Sequence, residues 1–299
     1  MARFKDLQLS YTVRKTLMNR WDPQKILPIL SEAGRIALHH YERPVKELKS
    51  DLSIVTQADH EIEAYFETQF DQPASGSYVI GEETINNKDE TYVRNSLSET
   101  CWIVDPIDGT SAYANHIPTW GISIGYAENG HIIHGAVYFP ITHEVFITDG
   151  EEVRYGLELQ AGKDLEPREW APLPEERPGV NEGSVIAVTQ GVAKGAGIRV
   201  VNPVQALGCA ILPLSYLLLN RYIAYLGSLK LWDIAGVLPM LLRKRFTVEL
   251  VDGSEIDGGI SEDFYVLSAG HRNRWKFRKK IICAISAEAA RYVLEAINS

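Results

Sequence analysis

The sequence predicts a mixed fold in two parts, an α+β first half and an α/β second half. Three observations predict it. Two segments of helical periodicity precede several strand-like segments joined by turn dipeptides. After about residue 183, strand-like and helix-like segments alternate. Between the halves, residues 161–181 carry Pro167, Pro172, Pro174 and Pro178 among Glu, Arg and Lys. The expected division is 1–155 for an N-terminal part, 156–182 for an exposed linker or insertion, and 183–299 for a C-terminal part.

Asp22 followed by Pro23 reads as a helix cap with proline at the first helical position. Ile26, Ile29, Leu30, Ala33, Ile36 and Ala37 recur at helical spacing, so this helix is expected to reach about Tyr41. A second helix is expected from about Ala58, with Ile62, Tyr65, Phe66 and Phe70 on one face. Strands are expected at 77–80, 101–104, 121–127, 131–139 and 143–148, the later ones forming an antiparallel meander. Asn129-Gly130 and Asp149-Gly150 supply its turns. In the second half, strands are expected at 184–188, 198–201, 222–226, 246–251 and 263–267. Helices are expected at 206–219, 234–242 and 287–297, the last capped by Ser286.

The formal net charge is −9. That argues against a general nucleic-acid binder, whose affinity rests on a basic field that displaces counterions. It leaves an anionic ligand open, because bound cations invert a local potential. Cys101, Cys209 and Cys283 form no CxxC pair, as expected in a reducing compartment. The first ten residues lack a signal peptide's apolar core, and no apolar run reaches the roughly 18–20 residues of a membrane span. A cytoplasmic protein without membrane or nucleic-acid partners is expected.

The chemistry-bearing residues gather at strand ends. Asp105 and Asp108 follow the apolar run Cys101-Trp102-Ile103-Val104 and precede Gly109-Thr110. Two readings stay open from the residues alone. Asp, Pro and Gly favour turns, so the segment could be a capped turn. Alternatively, two carboxylates this close repel without a cation, and hard oxygen ligands suit Mg²⁺. Glu82-Glu83 alone reads as a solvated pair, and Asp233 alone as a helix N-cap.

Taken in order, spacing and flanks, these pieces resemble the inositol monophosphatase family. Gly81-Glu82-Glu83 matches its Gly-Glu-Glu element. Trp102-Ile103-Val104-Asp105-Pro106-Ile107-Asp108-Gly109-Thr110 matches its Trp-x-x-Asp-Pro-(Leu/Ile)-Asp-Gly-Thr element. Trp232-Asp233-Ile234-Ala235-Gly236 and Val55-Thr56-Gln57-Ala58-Asp59 match its Trp-Asp-x-Ala-(Ala/Gly) and Val-Thr-x-Ala-Asp elements. The resemblance implies a layered αβαβα sandwich of the inositol monophosphatase and fructose-1,6-bisphosphatase type and, as is common there, a homodimer. It implies Mg²⁺-dependent hydrolysis of a small phosphorylated metabolite, with inhibition by lithium. Glu82, Asp105 and the carbonyl of Ile107 would hold one Mg²⁺, and Asp105, Asp108 and Asp233 a second. A third, weaker ion would sit near Glu82 through waters. Asp59 and Thr110, with Glu82, would be the catalytic residues that activate water.

The substrate contacts expected are Asp108, Gly109, Thr110, Cys209, Ala210 and Lys230. The amides of Gly109 and Thr110 would bind phosphate if a helix begins there. Gly208-Cys209-Ala210 stands at the family's Gly-(Ser/Thr)-Ala pocket element, with a thiol in place of a hydroxyl. Leu226 stands seven positions before Asp233, where inositol-directed members carry an acid. Lys230 reads either as a solvated lysine or as a contact for a second anionic group. A sugar or polyol phosphate is the expected substrate. Nucleotide 3′(2′),5′-bisphosphatase and fructose-1,6-bisphosphatase activities are alternatives; the Gly-Ser-x-x-Lys of nucleotide-directed relatives is absent from residues 208–212. A non-catalytic regulatory or binding protein on the same scaffold is the alternative of another class. The basic run 271–280, with Trp275 and Phe277 interleaved, reads as a solvated amphipathic segment. Residues 191–197 read as a glycine-rich loop without P-loop spacing.

Overall fold

The structure, a computed structural model, describes residues 20–48, 53–195 and 199–298. The ten opening residues read above and residues 196–198 lie outside them; of the stretch expected as a glycine-rich loop, residues 191–194 are helical instead. The helix α1 (Pro23–Tyr41) begins as expected, with Asp22 accepting from the backbone N–H of Gln24 at 3.1 Å. A short antiparallel hairpin of β1 (Lys46–Leu48) and β2 (Ile54–Thr56) leads into α2 (Gln57–Phe70). Then come β3 (Ser77–Gly81), α3 (Glu90–Ser98), β4 (Thr100–Asp108) and α4 (Thr110–Tyr113). The strands β5 (Gly121–Glu128), β6 (His131–Phe139), β7 (Glu144–Asp149), β8 (Glu152–Leu157) and β9 (Glu169–Ala171) complete a sheet of order β3-β4-β5-β6-β7-β8-β9. It is antiparallel from β4 onward, but β3 and β4 run parallel because α3 crosses between them. At the β5–β6 turn Asn129 and Gly130 both have positive φ, the backbone such a hairpin demands.

The second half supplies β10 (Ile186–Val188), α5 (Gln190–Lys194), β11 (Val204–Gln205), α6 (Ile211–Leu217) and β12 (Ala224–Gly227). It continues with α7 (Trp232–Ala235), α8 (Leu238–Arg243), β13 (Thr247–Leu250), β14 (Ile281–Ala284) and α9 (Ala287–Asn298). Its sheet order is β11-β10-β12-β14-β13, parallel around β10 and antiparallel around β14. Five layers result. α1 and α2 cover the outer face of the first sheet. α6, α7 and α8 lie between the two sheets, and α9 packs on the second. The period-two alternation of β4 assigns the faces. Trp102 and Val104 join the core under α1 and α2, while Cys101 and Ile103 join the inner core between the sheets.

Several expected elements shift. The helix expected at 206–219 starts only at Ile211. The helix expected at 234–242 breaks after Ala235 into α7 and α8, with Pro239 in the first turn of α8. Residues 199–203 form no strand; the edge strand is Val204–Gln205. Residues 263–267 form no strand: residues 262–264 turn, with both Phe264 and Tyr265 N–H groups bonded to the Ser261 carbonyl, and Tyr265 makes only an isolated antiparallel bridge to Phe277. The unforeseen β14 follows directly on the basic run. That run is spent on structure: Arg274, Arg278 and Lys279 pair with Glu90, Glu262 and Asp252, while Trp275 and Phe277 are buried. Residues 156–182 do more than link. They contribute β9 and the buried Leu159, and Arg177 donates to the carbonyls of Lys244, Arg245 and Ile285.

Gly125 and Gly135 face each other across β5 and β6, directly beneath the α7 segment. A Cβ at Gly125 would lie 2.6 Å from Ala235 Cβ, and one at Gly135 would lie 2.2 Å from the Gly236 carbonyl oxygen. The bare backbone here lets the helix bearing Asp233 rest on the sheet. Gly125→Ala is therefore expected to lower stability by about 1–3 kcal/mol through overpacking, measured by urea unfolding; an unchanged midpoint would contradict the close packing.

Candidate metal and active site

A bulge in β4 makes the site possible. Asp105 pairs with Ser123 and Asp108 with Gly121, so three steps on β4 oppose two on β5. In an unbroken strand, residues three apart point to opposite faces. The extra residue resets that parity, and both carboxylates turn toward the inner side. Beyond the bulge, Gly109 takes φ +93° and α4 begins at Thr110. A Cβ on Gly109 would also lie 2.8 Å from the Thr119 carbonyl oxygen.

Four other elements bring their groups here. Asp59 comes from the first turn of α2, Glu82 from the end of β3, Cys209 and Ala210 from the approach to α6, and Asp233 from α7. Asp108 Oδ2 accepts from the N–H groups of Ala210 (2.6 Å) and Ile211 (2.5 Å) and from the Cys209 thiol (3.3 Å). It thereby ties the first half to the N-terminus of α6. Asp233 Oδ2 accepts from the Lys230 N–H at 2.7 Å. The Lys230 ammonium lies 3.4 Å from Glu82 Oε1 and over the Trp232 ring, rather than in the neighbouring cleft. Asp59 Oδ2 accepts from both the N–H and the hydroxyl of Thr56, at 2.8 and 2.6 Å. Its Oδ1 lies 3.3 Å from the Thr110 hydroxyl, which also reaches the Ile107 carbonyl at 3.0 Å.

Burial, reinforced by neighbouring negative charge, raises the pKa of four of these carboxyls. Burial, then the charges of Glu82, Asp108, Asp233 and Asp59, hold the Asp105 carboxyl well above the usual range. Burial pushes Asp108 up to about 6 against the pull of its amide and thiol donors. Burial, Asp108 and Glu82 push Asp233 up to about 8. Burial pushes Asp59 up to about 7, opposed by the two Thr56 bonds and reinforced by Glu83 and Glu82. Among the described residues, no three His, Cys, Asp or Glu side chains are already closed into a metal cage. The residues nonetheless fit a hard cation. The donors are all oxygen, and Asp105 Oδ1 is buried without a hydrogen-bond partner, a costly state for a carboxylate.

Beside the carboxylates opens a cleft of about 230 Å³, between Asp108, Cys209 and Asp233 on one side and Thr189, Tyr225 and Ser228 on the other. Sequence reasoning missed Thr189, Tyr225 and Ser228, which carry no motif signal. Leu226 is fully buried and lies outside this cleft. Also missed was Glu63, fully buried on α2 one turn after Asp59. Its carboxylate accepts from the N–H groups of Glu83 (2.9 Å) and Thr84 (2.7 Å).

A family-wide profile described as the inositol monophosphatase family matches residues 25–242. The chain belongs to this family. It is a phosphoric monoester hydrolase. The inositol-1-monophosphatase of Bacillus subtilis is 28% identical over 238 residues, covering 75% of this chain and 83% of the relative. The quinic acid degradation cluster protein x of Neurospora crassa is 27% identical over 244 residues, covering 71% and 72%. Among solved structures, an IMPase/NADP phosphatase complexed with Mg²⁺ and phosphate shares the fold. Its TM-score is 0.62 at 16% identity, covering 100% of this chain and 96% of that one. The layered αβαβα sandwich is thus the family's fold, and no described helix is long and apolar enough to cross a membrane.

The site's electrostatics predict how stability depends on pH. Asp59 and Glu63, each raised to about 7 chiefly by burial, keep protons in the folded chain that the unfolded chain has already released. Their contribution is full below the ordinary carboxylate pKa of about 4 and is lost as pH rises through about 7. The thermal midpoint of metal-free protein is expected to fall between about pH 5 and pH 8. A midpoint that rises over that window would contradict the burial of these carboxyls.

Proposed function

We propose that the chain is a Mg²⁺-dependent phosphatase acting on the monophosphate of a small sugar or polyol. The observation that supports this best is the unpartnered Oδ1 of Asp105, buried amid the negative charges of Glu82, Asp108, Asp233 and Asp59. Glu82, Asp105 and the Ile107 carbonyl are the groups proposed to hold one ion. Asp105, Asp108 and Asp233 are proposed for a second, with Asp105 shared. Bound Mg²⁺ supplies charge neutralisation at the phosphoryl oxygens and a lowered pKa for the attacking water.

The chain's own residues then have distinct tasks. Burial raises the proton affinity of the Asp59 carboxyl, which suits it to the task of a general base. Its Oδ2 is fixed by Thr56, which leaves Oδ1 toward Thr110. The Thr110 hydroxyl has one proton for two acceptors, Asp59 Oδ1 and the Ile107 carbonyl. Turned to Asp59, it can accept from a water while donating to the carboxylate, so the pair orients that water and receives its proton. The first N–H groups of α4 lack intrahelical partners, and those of Gly109 and Thr110 are proposed to bind phosphate.

The cleft supports a small, neutral leaving group. Its volume of about 230 Å³ is below the roughly 300 Å³ at which ligand pockets usually begin. Thr189, Gln190 and Ser228 offer it groups that bond hydroxyls. Among the described residues no Lys or Arg lines it, and the Lys230 ammonium sits on Glu82. A second phosphate would find no counter-charge there, which favours a monophosphate over a bisphosphate.

Purified protein is expected to release phosphate from sugar or polyol monophosphates with Mg²⁺ present and to stop when EDTA is added. Asp105→Asn is expected to lower kcat by roughly a thousandfold, because it removes the charge shared by both ions. Turnover that persists in EDTA, or a fully active variant, would overturn the proposal.

A further inference from the structure

Glu63 has no part in the chemistry assigned above, yet it is a fully buried acid beside other acids. Burying a carboxylate within the field of Glu83 is costly for stability, so packing alone does not account for it. Its two oxygens are spent on one short stretch of backbone. Oε2 accepts from Glu83 N–H and Oε1 from Thr84 N–H, the two peptide groups that immediately follow Glu82. The backbone ahead of Glu82 also lies on this carboxylate: a Cβ at Gly81 would fall 2.2 Å from Glu63 Oε1. Glu63 thus grips the Gly81-Glu82-Glu83 turn from both sides of Glu82. Asp59 precedes it by four residues on the same helix face.

We propose that Glu63 is a positioning residue that fixes the backbone turn from which Glu82 reaches the cation. α2 then carries both the proposed base, Asp59, and the support for the metal ligand Glu82, one turn apart on a rigid element. This rests on the reading of Glu82 as a Mg²⁺ ligand. The two oxygens of one carboxyl accept from two successive peptide N–H groups, so the turn is held at two points rather than one. The neighbouring acid on the same face, Glu67, serves a different end: it meets the Thr84 hydroxyl and Lys88.

The test is a calorimetric titration of metal-free protein with Mg²⁺, without substrate, alongside the Mg²⁺ dependence of phosphate release. Glu63→Gln keeps the shape but turns an amide NH₂ toward one of the two N–H donors. It is expected to weaken Mg²⁺ binding by about tenfold, the usual scale for losing a group that orients a ligand. At saturating Mg²⁺ its substrate KM is expected to match that of the wild type. Glu67→Gln is expected to lose thermal stability without losing Mg²⁺ affinity. A folded Glu63→Gln protein that binds Mg²⁺ like the wild type overturns the proposal, as does an equal loss in Glu67→Gln. Should Glu63→Gln not fold, Gly81→Ala displaces the same carboxylate by collision: weakened Mg²⁺ binding supports the proposal, and unchanged binding overturns it. The wild-type titration separates the two levels. No Mg²⁺ uptake there contradicts the metal reading itself and this inference with it.

Discussion

Negative charge concentrated out of water is the constraint on which the rest of this structure depends. Asp105 lies 1% exposed, with Glu82, Asp108, Asp233 and Asp59 close enough to raise its pKa. Such a group is tolerable only if protonated or matched by positive charge. Nearly every feature around it manages that cost. The bulge in β4 turns Asp105 and Asp108 inward together. Peptide N–H groups of Ala210 and Ile211 take one oxygen of Asp108, and that of Lys230 takes one oxygen of Asp233. The Lys230 ammonium offsets part of the charge on Glu82. Asp105 Oδ1 stays buried without a hydrogen-bond partner.

The same constraint explains why the two halves are bound so closely. Asp108 reaches about a hundred residues along the chain to cap α6, and Asp233 arrives on a helix seated on glycines of the first sheet. The stretch at 156–182, through β9 and Arg177, ties the first sheet to the far end of α8 and to the end of β14. A site made from both halves needs both held at a fixed distance, and the layered packing supplies that.

Some of this was legible in the residues. An apolar run ending in Asp-Pro-x-Asp-Gly announced buried carboxylates at a strand end, and Asp22-Pro23 announced α1 to the residue. The bulge was not legible, since periodicity alone sends Asp105 and Asp108 to opposite faces. Glu63 was invisible because a lone acid between Ile62 and Phe66 looks like any polar helix position; only the fold shows that it faces two peptide N–H groups. In the second half, Phe264 and Val266 alternate like a strand, but Ser261 draws residues 262–264 into turns and only Tyr265 bridges, to Phe277. The basic run hid β14, since its charges look solvent-bound until their acidic partners are seen. The missing acid at Leu226 was readable as a substitution. That the cleft presents Tyr225 and Ser228 instead required the structure.

The central claim is that the carboxylate cluster is a cation site centred on Asp105. Mn²⁺ shares the hard, six-coordinate oxygen preference of Mg²⁺ and scatters anomalously, so crystals grown with it report the site directly. The account predicts anomalous density beside Asp105, between Glu82 and the Ile107 carbonyl on one side and Asp108 and Asp233 on the other. Density that leaves Asp105 bare, at Mn²⁺ concentrations that support phosphate release, would contradict it.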